Sequence, residues 1–123
     1  MSALAGWLTT LGWWALALVA GFYVATMVTW VLYLAIMNLA ENRAEMHPVV
    51  RFNAYVLLAI GYPVDALFNL LASAVIFQRL PKGWLFTGTL KWWVASDDAR
   101  RSKWAALICT RLLNPFDPKG RHC

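Results

Sequence analysis

Charge is scarce in this chain, and the places where it is missing are informative. Charged residues make up 14% of the sequence and apolar residues 61%, against about 25% and about 45–50% in soluble domains. From Gly12 to Met37 there are 26 positions with no charge and no strongly polar side chain. About twenty apolar residues suffice to cross the hydrocarbon core of a bilayer as a helix. No Lys or Arg precedes this run and no small-residue cleavage pattern follows it. That excludes a cleaved signal peptide, whose apolar region is about 7–15 residues long, and favours an uncleaved signal-anchor. Catalytic signatures are missing too: no nucleophile with its base, no glycine-rich phosphate loop and no paired-histidine metalloprotease motif. The chain therefore reads as a non-enzyme with no cofactor.

Cysteine is nearly absent. The two that occur are Cys109 and Cys123. Four ligands in a tetrahedral array would be needed for zinc. Cys109, Asp117, His122 and Cys123 can be named as a set, but their spacing matches no known finger, so no metal is expected. In a reducing cytoplasm a disulfide between the two cysteines is not expected either.

A second apolar run, Ala54 to Phe77, carries Asp65 and Asn69 at mid-depth. The expected fold is thus an all-α membrane protein: a two-span transmembrane helical hairpin with a Trp-rich, basic, interfacial helical tail. The first unit is residues 1–46, with its span at about 12–37. The second is 47–78, with a helix kinked at Pro63, which lacks an amide proton and frees the carbonyl of Ala59. The tail is 79–123. Nine of the eleven Lys and Arg follow the second span; only Arg43 and Arg51 lie between the spans. Basic residues near span ends stay in the cytoplasm. The expectation is a multi-pass bacterial inner-membrane protein with both termini cytoplasmic.

Three residue sets stand out. Tyr62, Asp65, Asn69 and Ser73 fall at spacings of three and four and share one helix face. A carboxyl at mid-membrane costs about 2.5–3.5 kcal/mol, so Asp65 needs a partner, and the hydroxyls of Thr26, Thr29 and Tyr33 are on offer. Three readings stay open: a protonated Asp65 acting as polar glue between helices, a proton or ion path, or a surface-lip or tilted placement that lets Asp65 reach water. Ala17, Gly21, Ala25 and Thr29 recur at every fourth position and form a groove of small residues. It packs either against the second span or against a partner or second copy. Trp13 and Trp30 lie about 25 Å apart along a helix, which suits the two edges of a bilayer. In the tail, Trp84, Lys91, Trp92, Trp93, Arg100, Arg101, Lys103 and Trp104 mix indoles with bases, as headgroup-binding segments do. Membrane lipids are expected partners, with another integral membrane protein or a second copy; nucleic acid is not. Ser96-Asp97-Asp98 reads as the start of a helix over 99–113 that Pro115 stops.

The ending Asn114-Pro-Phe-Asp-Pro-Lys-Gly-Arg-His-Cys resembles that of small membrane proteins encoded by tailed bacteriophages. The resemblance covers about a tenth of the chain. It implies a viral gene acting in a bacterial inner membrane, and two functions: modulation of a host membrane protein, or a holin that self-assembles into membrane lesions. An accessory subunit of a larger bacterial membrane complex is a third option.

Overall fold

The computed structural model describes residues 2–117, 119 and 123. Arg121 and His122, and with them much of the phage-like ending, lie outside the described residues. The described part is helical throughout, without strands. Helix α1 runs Ser2–Glu41, α2 Pro48–Ala72, α3 Phe86–Val94 and α4 Ala99–Ile108. Both α1 and the stretch Pro48–Phe77 are long and apolar enough to cross a membrane.

Helix α1 is longer than the apolar run alone suggests. It starts ten residues before Gly12 and keeps its helix to Glu41, so it is about 60 Å long. Nothing in Ser2–Ala40 breaks it: no proline occurs, and the glycines are single and far apart. Asn42 to Glu45 turn the chain, with the Glu45 N–H donating to the Asn42 carbonyl (3.1 Å). Pro48 then opens α2 at the position where its missing N–H costs nothing, and the His47 ring nitrogen accepts from Val49 N–H (3.4 Å). The two helices meet in opposite order. Arg43 lies over the Tyr55 ring, Ile36 touches the Cα side of Gly61, and Phe22 stacks near Phe68 at 6.3 Å.

The helix of α2 continues through Pro63 to Ala72 and then widens into a π-helical turn over Ser73–Phe77. Gln78 ends it with a left-handed backbone, φ 52°, and its N–H closes back on the Ser73 carbonyl. A left-handed residue beyond the last turn is a common way to stop a helix, though usually a glycine does it. The chain then reverses, and α3 and α4 pack back on α1 and α2.

This is where the tail departs from expectation. Its helices do not lie apart from the two long ones. The core of the molecule is built from the end of α2 and the tail together: Phe68, Ala72 and Phe77 with Phe86, Leu90, Trp93, Ala105, Cys109 and Leu113. Helix α4 begins behind Asp98, whose carboxylate accepts from Arg101 N–H (3.1 Å). It then runs along the α1–α2 pair. Arg101 near its start donates to the Phe77 carbonyl. Past its end, the π-helical turn Cys109–Leu113 reaches α1, where Trp30 Nε1 donates to Leu112 O (3.1 Å) and Tyr33 Oη to Leu113 O (2.9 Å). A helix leaves its last carbonyls without internal partners, and these two find donors on α1.

Cys109 and Cys123 are joined by a disulfide, with Cα atoms 5.8 Å apart. The reading that kept both as free thiols is corrected. It rested on the compartment alone, and the fold of the tail brings the two sulfurs together.

Candidate functional site

The polar face of α2 splits into two pairs with different work. Asn69 and Ser73 are buried. Asn69 Nδ2 donates to the Gly83 carbonyl (2.7 Å), and its Oδ1 accepts from Ser73 Oγ (3.3 Å). This ties the turn after α2 to its own helix, and the Lys82 N–H on Thr89 Oγ1 (3.2 Å) ties the same turn to α3. Each such bond has a net worth of about 1 kcal/mol, and a buried partner left unmade costs more. Tyr62 and Asp65 lie on the wall of a cavity instead.

That cavity lies between α1, α2 and the tail. Its volume is about 450 Å³, and it runs from Phe22 to Met37 along α1, about 22 Å at helical rise. Leu58 to Phe68 of α2 form a second wall, and Phe86, Ile108 and Leu112 of the tail a third. Its surface is hydrocarbon almost throughout. The cavity is partly open to the surroundings, so its hydrocarbon wall is available to an apolar group from outside.

The hydroxyls expected to serve Asp65 direct their hydrogens elsewhere. Thr26 donates to Phe22 O and Thr29 to Ala25 O, both at 2.8 Å, and Tyr33 donates to Leu113 O. In a helix, Ser and Thr commonly bond back to the carbonyl four residues earlier, and sequence spacing alone does not reveal that choice.

The small-residue groove divides at Phe22. Ala25 packs against the core and Thr29 lines the cavity. Ala17 is exposed, and nothing lies within 4 Å of where a Gly21 side chain would begin. The reading of a continuous groove against α2 is corrected for these two. The physical reason is that the helices stop pairing beyond the Phe22–Phe68 contact: the segment after Phe68 gives Ala72 and Phe77 to the core it shares with the tail. Every one of residues 2–21 is exposed. The Trp30 indole donates to Leu112 O and packs edge-on to Phe116 at 5.6 Å, so it serves the contact between α1 and the tail.

Of the eight tail residues expected at headgroups, the structure leaves most outward. Trp84 is 83% exposed, and Lys91, Trp92, Arg100, Lys103 and Trp104 are also exposed. Two are internal. Trp93 is buried, stacked on Phe77 at 5.5 Å. Arg101 pairs with Asp98 and lies over the Trp93 ring at 5.3 Å. The N–H of Arg101 and then its guanidinium hold the Asp98 carboxyl below its ordinary range. Lys82 sits 4.7 Å from the centre of the Trp92 ring, a cation–π distance.

The contacts that sequence spacing missed are those of Trp30 and Tyr33 with the tail, about eighty residues away in the chain. Among the described residues no cluster of three or more His, Cys, Asp and Glu could hold a metal ion. No family model matches the chain, and neither does a curated protein or a solved structure.

Proposed function

We propose that the chain is a non-enzymatic integral membrane protein that binds and modulates another membrane protein, as a host-directed bacteriophage gene product would. It is a two-span helical hairpin whose tail folds back on it. One observation carries the reading: residues 2–21 form about 30 Å of helix, wholly apolar but for Ser2 and two threonines, with no side of it covered by the rest of the chain. Helix α1, at about 60 Å, is twice as long as a hydrocarbon core is thick. Its second half is used to build the bundle. Its first half presents Trp7, Trp13 and Trp14, all exposed, together with the small residues Ala17 and Gly21. Small residues let another membrane helix approach closely, and aromatic anchors dominate the energetics of protein contacts.

The charge asymmetry supports a bacterial inner membrane with the tail in the cytoplasm. A disulfide such as Cys109–Cys123 persists where the surroundings are oxidising, so it stands against that orientation, and the redox state of the pair in intact cells decides between the two.

Expression of the tagged chain in a bacterium, followed by affinity purification, tests the reading. A membrane protein should co-purify in fixed proportion. Trp7→Ala, Trp13→Ala and Trp14→Ala combined should release it while the tail stays docked. Retention of the partner by the triple variant overturns the assignment to this half of α1. Abrupt loss of membrane potential with lysis, and no co-purifying protein, would establish the holin-like alternative instead.

A further inference from the structure

We infer that the cavity between α1, α2 and the tail is a binding site for one hydrocarbon chain of a membrane phospholipid. The inference rests on the membrane reading above but not on the partner reading, because the cavity begins at Phe22, where the free half of α1 ends.

Volume sets the size of the occupant. An apolar cavity of about 150 Å³ takes one benzene ring. At the same packing, 450 Å³ takes about eighteen carbons, the size of a single long acyl chain. The shape agrees, since the cavity extends about 22 Å along α1 rather than forming a round pocket. The polar residues of the wall include Tyr62, Asp65 and Thr87. Thr26, Thr29, Trp30 and Tyr33 beside them each donate to a backbone carbonyl of this chain. These four offer nothing that would ligate a phosphate or carboxylate. Hydrocarbon from Phe22, Ile36, Leu58, Phe68 and Ile108 makes up the surface. The tail completes the site. Leu112 lines it, and Trp30 and Tyr33 hold the carbonyls of Leu112 and Leu113, so the α1–tail hydrogen bonds form one edge of the cavity. An acyl chain bound here would link the tail to the two long helices by filling the space between them.

The test uses the full chain in detergent with dioleoyl phosphatidylcholine, a zwitterionic probe that gains little from the basic tail. Native mass spectrometry should show one lipid held per chain after extensive washing. Thr26→Phe with Thr29→Phe places two rings in the cavity. Detergent already keeps an acyl chain out of water, so the effect expected is steric, and the filled variant should lose most of the lipid that wild-type protein keeps. Met27→Trp, a single change on the same wall, should act in the same direction if the double variant folds poorly. Val31→Phe, on an exposed part of α1, should retain the lipid. Wild-type protein that keeps no lipid overturns the site, as does equal retention by the filled variants, which would assign the lipid to the outer surface. Carbonate extraction of the membranes checks the membrane reading separately: protein released into the soluble fraction would refute that reading and this one together.

Discussion

Cutting the link between Cys109 and Cys123 should loosen the tail by an amount that can be worked out in advance. The two residues are 14 apart in sequence, so the bridge closes a loop of about fifteen residues. On the chain-entropy account such a loop contributes about 3 kcal/mol. Cys109 is buried among Phe77, Ala105 and Leu113, one turn before the carbonyls that Trp30 and Tyr33 hold. The bridge thus pins the chain end beside the contact that docks the tail on α1. Cys123→Ser in purified, oxidised protein should lower the thermal midpoint by roughly 10 °C, taking about 3–4 °C per kcal/mol for a chain of this length. The loss should appear first as faster amide exchange in residues 105–116, with α1 and α2 protected as before. Reducing agent should bring wild-type protein to the same midpoint and leave Cys123→Ser unmoved. If reduction shifts neither the midpoint nor the exchange, the bridge does not anchor the tail. The same pair reports orientation. In intact cells a membrane-impermeant thiol reagent should reach neither cysteine, and alkylation after denaturing lysis should find both reduced. A bridge already formed in intact cells would place the tail on the oxidising side and overturn the proposed topology.

Three further outcomes follow from named contacts. Asn69→Ala removes the donor to the Gly83 carbonyl and strands the buried Ser73 hydroxyl, and should cost about 1–2 kcal/mol in detergent-unfolding experiments; a change below about 0.5 kcal/mol, the scatter of neutral surface substitutions, would show that the turn does not depend on this link. Asp98 carries a depressed pKa, so its capping contribution is present above the unfolded carboxylate value of about 3.9 and is lost as pH falls through its lower folded value; helicity of α4 should drop in that acidic window, and Asp98→Asn, which caps without titrating, should flatten the dependence. Gly21→Leu meets open space within the chain and should leave the protein's own stability within about 0.5 kcal/mol while abolishing partner co-purification; a destabilised monomer would mean that this face is internal after all.

Local signals in the sequence located the helices well and the tertiary contacts poorly, for a physical reason that Asn69 and Trp30 illustrate. Period and capping are short-range. Asp98 before Ala99, Pro48 after His47 and the uncharged run of α1 each act within a turn or two of helix, so they are readable one window at a time. Asn69 shares a face with Asp65 by spacing, yet what it bonds is Gly83, whose carbonyl reaches it only because Gln78 adopts a left-handed backbone and reverses the chain. No glycine marks that reversal at residue 78, so the usual signal is missing. Trp30 matched a bilayer edge by its distance from Trp13, whereas its indole N–H is spent on a carbonyl eighty-two residues away. The small-residue stripe is legible as a stripe, but where α2 stops covering it depends on Ala72 and Phe77 packing with the tail instead of with α1. Cysteine pairing was judged from compartment chemistry, which says nothing about distance.

The two halves of α1 therefore belong to different parts of the mechanism, and the tail is what divides them. From Phe22 onward α1 gives its side chains to α2, to the cavity and to the carbonyls that end the tail. Before Phe22 it gives them to nothing in this chain. Helix α4 matters for how the molecule sits in a bilayer. Arg101 is level with Phe77 at the end of the α2 segment, and Arg111 lies ten residues further along, about 15 Å away. A bilayer centred on the bundle would bring the exposed Arg111 close to mid-depth, at a cost of about 2.5–3.5 kcal/mol unless its stem reaches water. Sliding the bilayer toward residues 2–21 would carry in the exposed Arg79, Lys82, Arg100 and Lys103 around the end of the α2 segment, which costs more than one Arg. That charged cluster therefore sets one edge of the bilayer, and Arg111 is the residue whose long stem must reach water.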